Sequence, residues 1–238
     1  MKIYTKIIKE LKDLLFLLRF INFKVLYKYF NHKFIIFLNA KHYDKNFLRN
    51  DNLKFSNKWF KYNLLDWLFI FDKKININKD KEINILELGS YEGQSTYFFH
   101  KYFKNSIIDC VDTWEGSDEH EKNSFSKIEK IFDQNTSFFF NQIIKNKKSS
   151  KEFFKNNKKK YNIIYIDASH FYKDVYRDAL YANKCLDKDG YIIFDDYLFN
   201  FYKNKNQNPI TAINKFLKKF DTEFEIISVF RQVFLKKN

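Results

Sequence analysis

Acidic side chains stand at the ends of several apolar segments of this sequence, where an α/β sheet would gather them. Asp112 ends one such segment, Asp167 follows another and the adjacent Asp195 and Asp196 follow a third, with His170 three residues beyond Asp167. Ligands of open α/β sheets bind outside the carboxyl ends of the strands. We therefore expect these side chains to line one site, although the protein as a whole carries a formal charge of +14.

These residue types are suited to cation binding and to proton transfer. Asp195 and Asp196 would face Asp167 on the neighbouring strand, and the carboxylates repel one another unless a cation lies between them. Carboxylate oxygens are hard ligands that suit magnesium or a similar divalent ion. His170 is placed to act as a general base, because imidazole exchanges protons near neutral pH. The alternatives are a solvated turn for Asp195 and Asp196 and a surface position for His170.

The segment ELGSYEGQS, residues 87–95, holds two of only four glycines in the chain. An apolar strand that leads through Gly89-x-x-x-Gly93 into a helix places backbone N–H groups beside a ligand and indicates a nucleotide-like cofactor. Asp112, at the end of the next strand, is placed to accept hydrogen bonds from a ribose. The Gly-x-Gly-x-x-Gly pattern of nicotinamide enzymes is absent. A plain strand–helix connection and a helix N-cap at Asp112 are the alternatives.

Strands and helices alternate from about residue 56 onwards and would position these side chains. The pattern predicts strands at 83–88, 107–111, 143–145, 162–166, 191–194, 225–229 and 233–236. It predicts helices at 95–103, 126–140 and 174–186, and Pro209 is expected to open another. This order predicts an α/β fold with a seven-stranded, mostly parallel sheet, a C-terminal antiparallel hairpin and an N-terminal helical extension.

The composition argues against nucleic acid as a partner, despite the basic charge. The basic residues are spread along the chain, and abundant Lys, Asn, Ile and Phe are what an AT-rich genome would encode. No helix-turn-helix, zinc-finger or RNA-recognition pattern is present. Cys110 and Cys185 lie in apolar segments and are expected to be structural free thiols, which fits a reducing, cytoplasmic location.

Residues 1–55 are predicted to form a basic, aromatic-rich helical extension to a domain spanning residues 56–238. Its longest apolar runs, Leu14–Leu18 and Phe34–Leu38, are far shorter than the roughly 20 residues that a membrane-spanning helix needs. Apolar residues recur at helical spacing and make an amphipathic stripe. We favour a helical cap on the domain or on a second subunit. A basic helix on a membrane surface, through residues 1–40, is the alternative.

The segments ILELGSYEGQST, CVDTWEGSDEHE and IIYIDASHFYKDVYRDALYANKCLDKDGYIIFDDY together resemble the class I S-adenosylmethionine-dependent methyltransferases. Within this class they are similar to the branch with Asp-Gly-Ser-His and Asp-Asp-Tyr motifs, methyltransferase family 24, which is related to metal-dependent sugar O-methyltransferases. The resemblance covers about residues 56–238 and implies a Rossmann-like fold. The sequence departs from the family pattern at Ala168, where Gly is usual, and at Asp189, where Gly or Pro is usual.

The resemblance implies a role for individual residues. Backbone at Gly89, Ser90 and Gly93 would approach the methionine part of the cofactor, Asp112 would bind the ribose hydroxyls, and Trp114 would border the adenine. The complete implied cofactor set is Glu87, Gly89, Ser90, Gly93, Ser95, Asp112, Trp114 and Ser149. The implied magnesium ligands are Asp167, Asp195 and Asp196, and the catalytic residues would be His170 and Asp167.

The expected activity is O-methylation of a hydroxyl on a sugar, glycan or other small molecule, assisted by a divalent metal. Two alternatives stay open. One is a peripheral membrane or binding protein that uses the fold as a scaffold, since fold alone does not guarantee catalysis. The other is a hydroxylase-like relative on the same fold. A homo-oligomer is compatible with the sequence.

Overall fold

The computed structural model describes residues 22–116 and 125–238, together with residues 8, 11, 12 and 14–18. The strands are β1 (Ile83–Leu88), β2 (Ser106–Asp112), β3 (Ile143–Lys147), β4 (Tyr161–Ile166), β5 (Leu186–Phe194), β6 (Phe224–Val229) and β7 (Val233–Lys237). The helices are α1 (Phe23–Asn39), α2 (Leu64–Lys73), α3 (Gln94–Tyr102), α4 (Phe125–Thr136), α5 (Ser150–Asn156), α6 (Tyr172–Cys185) and α7 (Pro209–Lys219).

The seven strands form one mixed sheet in the order β3-β2-β1-β4-β5-β7-β6. The first five are parallel to one another, whereas β7 runs antiparallel between β5 and β6. The carboxyl ends of β1, β2, β4 and β5 therefore lie at the same edge of the sheet. This confirms the predicted Rossmann-like α/β fold with its C-terminal antiparallel hairpin.

Both faces of the sheet are covered by helices, which explains why the central parallel strands β1, β2 and β4 are mostly buried and rich in apolar residues. Alternate residues of β4 divide between the two cores: Ile164 and Ile166 pack with helices α6 and α7, while Ile163 and Tyr165 pack with α2, α3 and α4. Trp67, which is fully buried, lies in the second core, and its ring centroid is 5.1 Å from that of Tyr165.

Two boundaries differ by more than two residues from those that the sequence predicts. The helix expected over 126–140 ends at Thr136 and continues as a 3-10 segment, Ser137–Gln142, in which Phe139 has a non-helical φ of −133°. Phe139 is buried, and its ring stacks on His100 at 4.0 Å, so tertiary packing overrides the helical pattern. Strand β5 begins at Leu186 rather than at Tyr191, because Leu186 pairs with Tyr161 before the register shifts. Pro209 begins α7, as predicted.

Helix α1 packs on the edge strand of the sheet. Its buried side chains are Val25, Tyr29 and His32, and the helix contacts β6. The domain boundary at residue 55 remains a prediction, as does the cap role of residues 1–21, most of which lie outside the described residues. Within the part of the chain that the structure describes, no helix combines the length and apolar character needed to cross a membrane.

Candidate functional site

The turn after β1 lies directly against the end of β4. Gly89 has a φ of +86°, and a Cβ atom at this position would be only 2.0 Å from the backbone oxygen of Asp167. Only glycine fits so close to another backbone segment. The predicted cofactor turn and the predicted catalytic aspartate are therefore in van der Waals contact, as the sequence analysis expected from strand ends at one sheet edge.

The carboxylate of Asp112 fastens this turn. Its Oδ2 accepts the backbone N–H groups of Ser90 at 2.9 Å and of Tyr91 at 2.8 Å, and its Oδ1 accepts that of Trp114 at 2.7 Å. Burial raises the pKa of Asp112, and the backbone N–H donors oppose that shift. Asp112 thus joins the ends of β1 and β2, while its contact with a ribose stays a prediction.

Trp114 closes the loop that follows β2. Its indole N–H donates to the carbonyl of Tyr91 at 2.9 Å, and its ring packs on Phe132 with 4.9 Å between centroids. The side chain is 4% exposed, so it belongs to the core rather than to an open platform. That Trp114 lies next to the adenine of the cofactor remains a prediction.

Glu87 lies beneath the start of α3 and is completely buried. Its carboxylate accepts the hydroxyls of Ser95 and Thr96, each at 2.5 Å. Burial raises the pKa of Glu87, and these hydroxyl donors lower it. These contacts join the end of β1 to the first turn of α3, so Glu87 orients the connection between them, and its place in the cofactor set stays a prediction. Ser95 does not cap α3, because its hydroxyl donates to Glu87 and the N-cap residue is Gly93.

Ser149 forms the N-cap of α5, just beyond the carboxyl end of β3. Its hydroxyl oxygen accepts the backbone N–H of Glu152 at 3.3 Å, and the Glu152 carboxylate accepts the backbone N–H of Ser149 at 3.0 Å. This reciprocal pair is a capping box. The contacts give Ser149 a local structural role, and its predicted place near the adenine is untested.

The second half of the site is an acidic cluster at the ends of β4 and β5. The hydroxyl of Tyr165 lies 2.9 Å from Oδ2 of Asp167 and also contacts Oδ2 of Asp195. Oδ1 of Asp195 accepts the backbone N–H of Asp196 at 2.7 Å. Asp195 therefore turns its carboxylate towards Tyr165, deep in the cluster.

His170 completes the cluster with Asp167 and Asp196. Its Nε2 is 2.5 Å from Oδ2 of Asp196, and its ring stacks on Phe199 with 4.5 Å between centroids. Asp167, His170 and Asp196 each offer a ligand atom, and these atoms lie within 4.8 Å of one another. The structure thus brings together Asp167, Asp196 and His170 as potential ligands, whereas the sequence predicts Asp167, Asp195 and Asp196.

The cluster concentrates negative charge in a half-buried position, where the side chain of Asp196 is 35% exposed. Burial raises the pKa of Asp167 well above its usual value, and the charges of Asp195 and Asp196 raise it further. Burial also raises the pKa of Asp195 to about 6, again with a contribution from Asp196. Tyr165 has a single proton and can donate fully to only one carboxylate. The arrangement therefore suits an additional proton or a divalent cation, and two carboxylates with an imidazole are donors that such a cation accepts.

Left-handed backbone conformations mark both halves of the site. Three residues other than glycine have a positive φ here: Tyr91 at 46°, Trp114 at 54° and Asp196 at 55°. Such conformations are costly for residues with a Cβ and are maintained only when the surroundings enforce them. Their concentration at the ends of β1, β2 and β5 supports a functional site at this edge.

Two residues that hold the site together, Tyr165 and Glu92, could not be recognised from the sequence. Tyr165 looks like a core residue in an apolar strand, and nothing in the sequence shows that its hydroxyl reaches two carboxylates. Glu92 is buried, accepts the backbone N–H of Ser56 at 2.7 Å, and uses its own carbonyl to accept the Asn135 side chain at 2.9 Å. The only sequence signal for Glu92 is its place between the two glycines.

Known proteins share this arrangement at the level of the fold. Residues 86–197 match the family described as a methyltransferase domain. A Staphylococcus aureus protein assigned as a caffeoyl-CoA O-methyltransferase superposes with a TM-score of 0.53 at 16% identity, over 88% of this chain and 100% of that one. A Clostridium thermocellum protein assigned as an rRNA methylase gives 0.53 at 12% identity, over 78% and 100%.

A third similar structure is the MycE methyltransferase from the mycinamycin biosynthetic pathway, in complex with Mg, S-adenosylhomocysteine and mycinamycin VI. It superposes with a TM-score of 0.52 at 11% identity, over 79% of this chain and 51% of that one. No curated protein matches the sequence. The family match over residues 86–197 agrees with the motif order and with the sheet topology, which is that of the class I S-adenosylmethionine-dependent methyltransferase fold.

Proposed function

We propose that this methyltransferase acts on a hydroxyl oxygen of a sugar, glycan or other small molecule, with help from a divalent cation. The observation that carries the proposal is the position of the acidic cluster. Gly89, in the predicted cofactor turn, touches the backbone of Asp167, whose side chain belongs to the cluster with Asp196 and His170. An acceptor held by the cluster would therefore lie beside the cofactor.

The protein's contribution to such a transfer is mainly positioning. S-adenosylmethionine supplies a methyl group on a sulfonium, which is already a strong leaving group. The turn at Gly89, Ser90 and Gly93 is assigned to the methionine part of the cofactor, and Asp112 and Trp114 to its adenosine part. Asp112 accepts two backbone N–H groups of that turn, which supports a role for the turn as a fixed surface that positions the cofactor.

His170 is proposed to accept the proton of the acceptor hydroxyl. Its Nε2 lies 2.5 Å from Oδ2 of Asp196. A carboxylate at one ring nitrogen fixes the orientation of an imidazole and stabilises the imidazolium that forms. Asp196 therefore acts as the positioning residue for His170.

Asp167 and Asp196 are the carboxylates proposed to hold a divalent cation, with Asp195 or His170 as the third ligand. Such an ion lowers the pKa of a bound hydroxyl. Burial raises the pKa of both Asp167 and Asp195, so a cation that stabilises their charged forms would offset this effect, and this supports the proposal. The magnesium in the MycE complex also supports it.

The proposed function is tested by an assay of methyl transfer to a panel of sugars, glycans and phenols, in which the release of S-adenosylhomocysteine is measured. We expect a product methylated on oxygen, and we expect a chelator to abolish turnover while S-adenosylhomocysteine binding, measured by calorimetry, changes little. Restoration of turnover by added magnesium is the control. Full activity in the presence of the chelator would remove the metal from the proposal, and methylation on nitrogen or carbon alone would contradict the assigned acceptor.

His170→Ala tests the proposed base. Loss of general base catalysis is expected to lower kcat by a factor of about 10² to 10⁴. The affinity for S-adenosylhomocysteine should stay close to that of the wild type, because His170 lies outside the cofactor turn. The matched control is His42→Ala, at an exposed position that is distant from His170 in the sequence. An unchanged kcat for His170→Ala would eliminate this residue as the base.

A further inference from the structure

Helix α1 exposes a continuous row of aromatic side chains on one side. The row, here called the aromatic face, consists of Phe23 (81% exposed), Tyr27 (66%), Phe30 (53%), Phe34 (64%) and Phe37 (81%). Their spacing of four, three, four and three residues places all five on one stripe of an α-helix. Contiguous exposed apolar surface of this kind marks an interaction site.

The opposite side of α1 fixes the helix to the fold. Val25, Tyr29 and His32 are each no more than 2% exposed. His32 contacts Ser228 of β6 through Nδ1 at 2.7 Å and Asp66 of α2 through Nε2 at 3.0 Å. The aromatic face therefore points away from the side of α1 that is fixed to the fold, and each of its side chains is more than half exposed.

The charged side chains of α1 itself are all basic, and one of them, Lys28, lies 4.0 Å from Glu225 of β6. No acidic residue occurs between Asp13 and Asp44, whereas this stretch contains Arg19, Lys24, Lys28, Lys33 and Lys41. Lys24 and Lys41 are exposed near the two ends of α1. An amphipathic helix with large apolar side chains on one face and lysines beside them is suited to the surface of an anionic bilayer.

Charge favours a membrane over a second copy of the chain as the occupant. Two copies joined through this face would bring their lysines together, and each copy carries a formal charge of +14. Like charges placed together oppose association. Anionic headgroups instead offer the complementary charge, and the aromatic side chains can enter the boundary between headgroups and acyl chains.

We propose that α1 docks this protein on an anionic membrane surface, with the aromatic face in the lipid and the flanking lysines at the phosphates. The helix lies in the plane of the interface rather than across the bilayer. The inference is independent of the acceptor and of the metal in the proposed function, because it rests only on α1.

Vesicle flotation of the full chain tests the docking. We expect binding to phosphatidylcholine vesicles that contain phosphatidylglycerol and little binding to phosphatidylcholine alone. Added salt should weaken the binding, because it screens the lysines from the headgroups. Equal binding to both kinds of vesicle, or to neither, would overturn the proposal.

Paired variants locate the contact. Phe34→Gln with Phe37→Gln should lower vesicle binding by at least about tenfold, because two buried aromatic contacts are lost. The control is Phe138→Gln with Phe140→Gln, which changes two aromatic residues that are 51% and 68% exposed outside α1. This control should bind as the wild type does.

A second pair of variants tests the charge. Lys24→Gln with Lys41→Gln should lower vesicle binding roughly 30-fold, at about fivefold per lysine. The control for charge is Lys218→Gln with Lys219→Gln.

The same variants distinguish docking on a membrane from dimerisation through the aromatic face. Circular dichroism and thermal unfolding establish that each variant is folded. Sedimentation of the wild type should show a monomer. A dimer that Phe34→Gln with Phe37→Gln converts to monomer, without vesicle binding by either protein, would show that a second copy covers the face and would contradict the proposal. Vesicle binding that all variants retain would place the contact elsewhere and contradict it equally.

Discussion

The hydroxyl of Tyr165 lies between the carboxylates of Asp167 and Asp195, although its ring packs in the core against Trp67. Burial and the two carboxylates raise the pKa of Tyr165 well above its usual value, so the phenol stays protonated and remains a donor. At the residue scale, one neutral side chain therefore holds two acidic groups in place. It cannot neutralise both, which leaves the cluster suited to a cation.

Tyr165→Phe removes this donor and keeps the ring. We expect the free energy of unfolding to fall by roughly 1–3 kcal/mol, because two buried carboxylates lose a hydrogen-bond partner. Magnesium should stabilise the variant more than the wild type, since a cation relieves the increased repulsion. Denaturant unfolding with and without magnesium measures both effects.

Tyr197→Phe is the matched control for that experiment. Tyr197 is also fully buried, but its hydroxyl donates to the neutral side chain of Asn214 at 2.8 Å. Its loss should lower stability without any response to magnesium. An identical magnesium response in the two variants would contradict a cation site at the acidic cluster.

At the scale of the elements, the site depends on how closely the strand ends approach one another. The turn between β1 and α3 contacts the backbone after β4 at Gly89, and Asp112 at the end of β2 holds the same turn. The first contact joins two backbone segments, and in the second the Asp112 carboxylate accepts backbone N–H groups of the turn. The position of the turn is therefore tied to the ends of β2 and β4.

Comparing Gly89→Ala with Gly93→Ala separates the cost of a left-handed backbone from the cost of a clash between the new Cβ atom and its neighbours. Both glycines have a φ near +85°, so each substitution should cost roughly 1–2 kcal/mol of stability from the left-handed backbone alone. A Cβ at Gly93 would meet the Phe132 side chain at 3.3 Å, whereas one at Gly89 would meet the Asp167 backbone at 2.0 Å. We expect Gly89→Ala to be the more destabilising and to abolish cofactor binding. Calorimetry and denaturant unfolding measure this, and equal effects would contradict it.

Helices α5 and α6 meet at a buried carboxyl group whose ionisation should affect stability. Asp178 accepts the hydroxyl of Ser150 at 2.8 Å and lies 3.0 Å from the Arg177 guanidinium. Burial raises the pKa of Asp178 from 3.8 to about 6, against the opposing effect of Arg177. The folded protein therefore holds this proton more tightly than the unfolded chain does.

The stability that this proton provides is fully present below pH 3.8 and is lost as pH rises through about 6. A shift of this size corresponds to roughly 3 kcal/mol. Asp178→Asn should flatten the decline in unfolding free energy between those pH values, relative to the wild type. Asp221→Asn, at an exposed position, should retain it. Parallel slopes for wild type and Asp178→Asn in denaturant unfolding would contradict the raised pKa.

At the scale of the whole molecule, α1 is joined to parts of the chain that are distant in sequence. His32 links it to α2 through Asp66 and to β6 through Ser228, and the Tyr29 ring lies 5.7 Å from that of Phe230. Helix α1 is thereby packed against β6, the strand at one end of the sheet. One side of α1 supports the fold while the aromatic face stays available for docking.

His32→Ala should lower the free energy of unfolding by roughly 2–4 kcal/mol, because Asp66 and Ser228 lose a buried partner and a cavity remains. Phe34→Ala, at a position 64% exposed on the same helix, should change it by less than about 0.5 kcal/mol. Denaturant unfolding compares the two. Similar losses would mean that the aromatic face also packs against the fold.

The sequence by itself determined the order of strands and helices and the sheet edge at which the site lies. Apolar runs with period-two or helical spacing are local properties, and the parallel connections then fix which strand ends come together. Gly89, Asp112, Asp167 and the Asp195–Asp196 pair could all be identified in this way. The family motifs added the cofactor.

Only the tertiary structure decided how those residues are used. It directed Asp112 to the backbone of the cofactor turn, Asp195 to Tyr165 and His170 to Asp196. Sequence spacing does not specify side-chain direction across strands that are far apart in the chain. The same limit hid the roles of Tyr165 and His32, because a polar atom within an apolar segment acquires its partner only when the elements pack together.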